Sequence, residues 1–226
     1  SISNDETRHY LNGIYLHKTK LENKSFLCGV ATDSHRLSSS SIEIDSNTNI
    51  ESIILPKKTI FQLISLLEQS DSSVKISNNK SKIKFEMSSG VLISKVIDGR
   101  FPDYNKVIPK DNDKILEIKL SEFKNSIERV TTVSSDRKEG LKMLISKDAV
   151  QLTVNNPNSG EGVEIISGKF NSDDLNIGFN SKYLTDIASQ IENESIIINL
   201  KDPGSPVLIR DFLDKNSFHV VMPMKI

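Results

Sequence analysis

The sequence predicts an α+β fold built from two similar domains, with helices on one face of antiparallel sheets. Three observations carry that prediction. Short segments of alternating apolar and polar residues dominate, and turn chemistry separates them. Three segments instead carry the spacing of amphipathic helices, without the strict strand–helix–strand alternation of a parallel sheet. The second half of the chain also repeats the order of the first at an offset of about 120–130 residues, a domain-sized period.

The elements follow in order. In residues 26–30, Phe26, Cys28 and Val30 share one face of a half-buried strand. A polar turn leads to a second strand at 41–44. Ile54-Leu55-Pro56 runs into a helix over 57–68, where Ile60, Leu63, Ile64 and Leu67 form one apolar stripe. Pro56 suits the first position of that helix, where its missing N–H costs nothing. Strands follow at 74–76, 82–85, 91–96 and 115–120, with turns such as Ser77-Asn78-Asn79 and Asp98-Gly99 between them. Phe123, Ile127 and Val130 stripe a second helix over 121–134, with Ser121 as its N-cap and Glu122 at its positive end. Strands at 152–154 and 163–166 lead to Ile177-Gly178-Phe179-Asn180. There a third helix begins, over 181–191, striped by Leu184, Ile187, Ala188 and Ile191. Strands at 195–200, 207–209 and 218–222 complete the chain.

The internal repeat sets the domain organisation, 1–111 and 112–226. The helix at 121–134 and the strand before it open the second domain, and nothing before residue 1 matches them. The first domain is therefore expected to lack an opening strand and helix of roughly 30–40 residues. The chain begins with serine rather than methionine and reads as a piece of a longer one.

Composition narrows the function classes. The chain has 226 residues, 36% hydrophobic and 26% charged, which suits an ordinary folded protein. The lone Cys28 excludes an intramolecular disulfide and a cysteine zinc cage. Residues 1–20 hold no apolar signal core, and no apolar run approaches the ~20 residues of a membrane helix. A cytoplasmic location is expected. The net charge of −1 argues against a protein that grips DNA through phosphate contacts.

Several motifs invite chemistry. Thr32-Asp33-Ser34-His35-Arg36 offers a hydrolase-like set, but adjacent residues on a turn point apart and rarely form a triad. A polar turn braced by Arg36 and His35 is the better reading. The Gly-x-Gly of Gly160-Glu161-Gly162 lacks a third glycine and a following helix, so phosphate cradling is not expected. The four histidines are scattered, and no metal or other cofactor is expected. Two apolar segments stand out. Gly99-Arg100-Phe101-Pro102-Asp103-Tyr104 reads as a connector with anchoring aromatics. The chain end, 218–226, stays apolar to Ile226, although a free terminus normally frays. Met222 and Met224, flanking Pro223, offer an adaptable apolar surface.

Together these segments resemble a known family. Val30-Ala31-Thr32-Asp33-Ser34-His35-Arg36-Leu37, then Val96-Ile97-Asp98-Gly99-Arg100-Phe101-Pro102-Asp103-Tyr104, then Gly178-Phe179-Asn180, and Val220-Val221-Met222-Pro223-Met224 look like the bacterial sliding clamps. These are the beta subunits of the replicative DNA polymerase III. The segments keep the family's order and spacing over the whole chain, which resembles a truncated second clamp domain followed by a complete third.

The resemblance implies a DNA-clamp (processivity factor) fold and no catalysis. It implies a homodimeric ring around duplex DNA, held by topology rather than sequence. The DNA polymerase III alpha subunit, the clamp loader and other clamp-motif proteins would dock through short linear peptides in an apolar pocket between the second and third domains. By matching positions, the pocket takes Thr32, Leu37, Pro102, Val107, Val220, Met222, Pro223 and Met224, with Ser34, Arg36, Asn180 and Tyr183 at its rim or beside it. Lys57, Lys58, Lys124, Arg129, Arg137, Lys138 and Lys182 would face DNA. Thr132 and Val133 would belong to the ring interface, and a chain lacking the first domain is expected to be mainly monomeric. Ser34 stands where the family commonly has glycine, Pro206 where it often has serine, and Lys106 and Lys225 where it has arginine. A generic peptide-binding scaffold and a hydrolase using Asp33 and His35 are the alternatives. A near-neutral chain excludes gripping DNA but is compatible with surrounding it.

Overall fold

The structure of the protein, a computed structural model, describes residues 1–68, 73–133 and 140–225. The chain divides into two compact units, Ser1–Asp103 and Tyr104–Ile226. The boundary expected at 111/112 falls in the irregular segment 108–113.

Unit 1 opens with a 3-10 helix at Glu6–Leu11. It continues through β1 (Gly13–Leu21), β2 (Lys24–Thr32), β3 (Arg36–Ile44), β4 (Ile53–Pro56), α1 (Lys57–Leu67), β5 (Lys75–Asn78), β6 (Lys82–Met87) and β7 (Gly90–Lys95). The strands pair antiparallel in the orders β3-β2-β1-β4 and β5-β6-β7. Glu22 and Asn23 take φ values of 48° and 68° in the two-residue β1–β2 hairpin, whose turn requires left-handed backbone at both positions. Ile53, Leu55, Ile83 and Phe85 form the core, with Ile60 and Leu63 of α1 packed on it.

Unit 2 contains β8 (Lys114–Lys119), α2 (Leu120–Val130), β9 (Gly140–Ile145), β10 (Ala149–Asn156), β11 (Gly160–Ser167), β12 (Lys169–Phe170), β13 (Leu175–Asn180), α3 (Ser181–Ala188), β14 (Ser195–Leu200), β15 (Val207–Asp211) and β16 (Ser217–Val221). Its antiparallel strands run β11-β10-β9-β13 and β12-β8-β14-β15-β16. The first order reproduces β3-β2-β1-β4, and β14-β15-β16 reproduces β5-β6-β7. The internal repeat read from the sequence is thus a repeat of topology. The β8–α2 pair has no counterpart among the described residues of unit 1.

That difference explains one departure from the helix reading. In unit 2, α2 lies against α3, and Leu184, Ile187 and Ala188 are buried. On α1 the related face is open. Ile64, expected in the buried stripe, is 46% exposed, and Phe61 is 60% exposed.

Other helix ends also moved, for local reasons. Pro56 is the extended residue before α1 rather than its first helical residue. Ser121 is not the N-cap of α2, because the helix already begins at Leu120, whose N–H donates to the Glu194 carbonyl at 2.7 Å. The helix then tightens into a 3-10 turn at Thr131–Val133, and Ser134 lies outside the described residues. α3 stops at Ala188 rather than Ile191. There the Asp211 carboxylate captures the N–H groups of Glu192 (3.4 Å) and Asn193 (3.3 Å) and turns the chain out. The Gly-x-Gly is a hairpin device. Gly160 has φ +104°, and a Cβ on Gly162 would lie 2.7 Å from the Val130 carbonyl oxygen. Among the described residues, no helix is long and apolar enough to cross a membrane.

Candidate functional site

Thr32, Ser34, Arg36 and Leu37 share one turn between β2 and β3, closed by the Thr32↔Leu37 register. The turn is built by its own side chains. Thr32 Oγ1 donates to the Arg36 carbonyl (2.7 Å) and accepts from the Ser34 N–H (3.2 Å). Asp33 Oδ1 accepts from the N–H groups of His35 and Arg36, both at 3.0 Å, and its Oδ2 accepts from Arg36 Nε at 3.0 Å. The Asp33 carboxylate therefore serves backbone and guanidinium rather than the His35 ring, the arrangement of a braced turn and not of a triad. Leu37 is buried, only 2% exposed.

The connector ahead of Asp103 is anchored as its aromatics suggested. Phe101 stacks on Tyr15 with ring centroids 4.9 Å apart and planes within 8°, and Tyr15 stacks in turn on His17 at 4.6 Å. His9 Nε2 lies 3.2 Å from the Asp98 carbonyl. A Cβ on Gly99, at φ +140°, would come within 3.1 Å of Tyr10 Cβ, which fixes glycine there. Pro102 follows this anchor and is exposed. Burial pushes the His17 imidazole below its ordinary pKa.

In unit 2, Val107 is exposed at the end of the 3-10 helix Tyr104–Val107. Val220 is buried in β16, while Met222 and Met224 keep 42% and 39% of their surface exposed. Pro223 cannot donate to a ladder and ends the strand. The tail is then pinned to β13, where the Met224 N–H donates to the Gly178 carbonyl at 2.9 Å. A groove of about 470 Å3 runs beside this segment, lined among others by Gly178, Pro223, Met224, Pro203 and Gly204. Asn180 caps α3, accepting the Lys182 N–H at 3.0 Å, and Tyr183 packs against the core. Pro206 is held by its carbonyl, which accepts from Asn112 Nδ2 at 2.9 Å. Lys106 is exposed, and Lys225 lines the same groove as Met224.

Of the five described basic residues assigned to DNA, three make bonds within the chain. Arg129 donates to Glu164 through Nε (2.8 Å) and Nη2 (3.0 Å). That bidentate contact draws the Glu164 carboxyl below its ordinary pKa and holds the Arg129 guanidinium above its own. Lys182 pairs with Asp186 at 3.3 Å, one turn along α3. Lys57 Nζ donates to Asn4 Oδ1 at 2.8 Å. Lys58 is exposed on α1 and Lys124 half-buried on α2. Arg137, Lys138 and Ile226 lie outside the described residues. The Thr132 hydroxyl donates to the Arg129 carbonyl at 2.7 Å, and Val133 packs against the core of unit 2. Among the described residues, no three His, Cys, Asp or Glu side chains gather as a metal site would require.

Sequence reasoning passed over three structural supports. Arg8 Nη1 donates to Ser34 Oγ at 2.6 Å, and Asp5, which holds Arg8, has its carboxyl lowered to about 2, first by its bond from the Thr7 hydroxyl. Asn112 ties Pro206 to the Asn199 carbonyl. Lys142 and Asn176 line the groove beside Met224. Asp5 acts on Thr7 and Arg8 next to it, but the contacts of Arg8 with Ser34 and of Asn112 with Pro206 span tens of residues and carry no local sequence signal.

Comparisons with known proteins agree with this organisation. Residues 1–103 match the family model for the DNA polymerase III beta subunit, central domain, and residues 105–225 that for its C-terminal domain. The chain is 36% identical over 227 residues to the beta sliding clamp of Caulobacter vibrioides (strain NA1000 / CB15N). It is 32% identical over 226 residues to that of Escherichia coli (strain K12). Each alignment covers 100% of this chain and 61% of the relative, so the chain spans about three-fifths of the length of these relatives. It also superposes on the sliding clamp (DNA polymerase III subunit beta) of Bartonella birtlesii bound to griselimycin. There the TM-score is 0.95 at 39% identity, covering 100% of this chain and 61% of that one. The sliding clamp of Caulobacter crescentus gives a TM-score of 0.94 at 36% identity, covering 100% and 60%. Two consecutive clamp-domain matches, the repeated topology and the recurring motifs lead to one assignment: the chain belongs to the DNA polymerase III beta subunit family.

Proposed function

We propose that this chain serves in a sliding clamp of the bacterial cytoplasm, a homodimeric ring that encircles duplex DNA and confers processivity without catalysing a reaction. Its partners, the polymerase alpha subunit, the clamp loader and other clamp-motif proteins, dock by short linear peptides.

The observation that carries this reading is the Met222-Pro223-Met224 segment. Two large, polarizable side chains stay exposed on a tail fixed to β13 beside a groove. Such a surface suits a Leu or Phe anchor, while loop groups bond the extended peptide backbone. The pairing of Arg129 and Lys182 with carboxylates supports loose passage over DNA. A phosphate would have to compete with each carboxylate, so few counterions would be released on contact.

The decisive experiment titrates a fluorescein-labelled pentapeptide carrying Leu and Phe anchors into this chain and follows anisotropy. Saturable binding that the unlabelled peptide reverses is expected, and no saturation up to millimolar protein would sink the peptide reading. For encirclement, the longer protein that includes the part of the relatives not spanned here is loaded on DNA. Retention on circular DNA and loss from linear DNA are expected; equal retention on both would rule the ring out.

A further inference from the structure

We infer that Arg8 is the positioning residue of the turn joining β2 to β3, holding it ready for a peptide through the Ser34 hydroxyl; this rests on the peptide-binding reading above. Ser34 has φ +79°, in the left-handed region that favours glycine and disfavours a residue with a Cβ. The residue is also exposed, so packing does not impose that backbone on it.

Hydrogen bonds impose it instead, from two sides. Within the turn, Thr32 Oγ1 accepts the Ser34 N–H at 3.2 Å. From outside, Arg8 Nη1 donates to Ser34 Oγ at 2.6 Å. Arg8 is not a swinging surface side chain. Its Nε donates to Asp5 Oδ2 at 2.8 Å, and Asp5 Oδ1 accepts from the Thr7 N–H (2.9 Å) and hydroxyl (2.6 Å). The Asp5 backbone is fixed as well. Its carbonyl accepts from Asn12 Nδ2 at 3.1 Å and its N–H donates to Ser3 Oγ at 3.1 Å. The Ser3 N–H in turn reaches the carbonyl of buried Leu11 at 3.1 Å.

A planar guanidinium therefore bridges a carboxylate anchored on the core and the Ser34 hydroxyl, using two nitrogens of its fork. Ser34 is at once the residue that strains the turn and the one that supplies the acceptor to hold it; glycine would do neither. With the turn fixed, Thr32, Arg36 and Leu37 keep their places before a peptide arrives, and less ordering is left for binding to offset.

The test is a double-mutant cycle on the full 226-residue chain, with Arg8→Ala, Ser34→Gly and the pair. It reads two quantities: amide exchange of His35 and Arg36 without peptide, and the Kd of the labelled pentapeptide. Arg8→Ala alone should speed exchange at both amides about fivefold and raise Kd by a similar factor, the scale of one net hydrogen bond, with the thermal midpoint little changed. In the Ser34→Gly background, Arg8→Ala should change neither quantity by as much as about twofold. Equal effects in both backgrounds, or none on exchange in the wild-type background, would overturn the inference. A coupled exchange cycle in a chain that binds no peptide would instead defeat the peptide reading and leave the Arg8–Ser34 latch standing.

Discussion

Met224→Ala tests the peptide surface most directly, and its size follows from the structure. Full burial of a methionine side chain is worth about 1.5–3 kcal/mol. Met224 keeps 39% of its surface in the free chain, so a peptide covering that remainder gains about 0.6–1.2 kcal/mol from it. Losing that gain should raise the pentapeptide Kd about threefold to eightfold. Met222, 42% exposed, should behave alike. The two lie either side of Pro223, so the double variant should fall short of the product of the singles. Anisotropy titration at fixed salt measures the change, with thermal melting as the folding control. Ile165→Ala is the specificity control, since Ile165 is 67% exposed on β11 and outside the proposed surface. The reasoning is refuted if both methionine variants bind as wild type, or if Ile165→Ala weakens binding as much as they do.

Leu37→Ala should act on stability before affinity. Its side chain is buried, so the truncation should cost about 2–5 kcal/mol in denaturant unfolding; an unchanged midpoint would contradict that burial. Gly162→Ala should destabilise unit 2 by about 1–3 kcal/mol, because its Cβ meets the Val130 backbone at 2.7 Å. Neither β11 nor the end of α2 can yield as a side chain would, so wild-type stability in that variant would refute the close approach. Asp5 gives a pH dependence. Its carboxyl is lowered to about 2 in the fold, so its contribution is complete above the unfolded value near 3.9 and is lost as pH falls towards 2. A carboxyl titration followed by NMR with a midpoint near 4 would show that the Thr7 and Arg8 bonds do not form in solution.

Much of the fold was legible because its signals are local. Alternation in residues 26–30 and 195–200 marked strands that lie where expected, and the stripe Phe123, Ile127 and Val130 is fully buried on α2. The repeat was readable too, since similar elements in the same order need no knowledge of how they pair. β1 and β9 were missed. β1 carries Lys18 and Lys20 among its apolar residues, and in β9 the exposed Leu144 blurs the alternation of Leu141, Met143 and Ile145. Helix ends were misplaced wherever a distant group decided them: Glu194 for the start of α2, and Asp211 for the end of α3. The motif residues proposed for the site differ in state, which their segments do not disclose. Leu37 and Val220 are buried, whereas Met222, Met224, Val107, Pro102 and Ser34 are exposed.

By itself the sequence determined the fold class, the internal repeat and the family. Periodicity, turn residues and motif order are properties of the chain that need no third dimension. Tertiary structure alone decided which apolar residues are free to meet a partner, which charges are already paired, and what holds Ser34 in a glycine's conformation. Burial, ion pairing and hydrogen bonding at these places depend on residues that folding brings together. Arg8 stands 26 positions from Ser34, and Arg129 stands 35 from Glu164. No local pattern encodes such meetings.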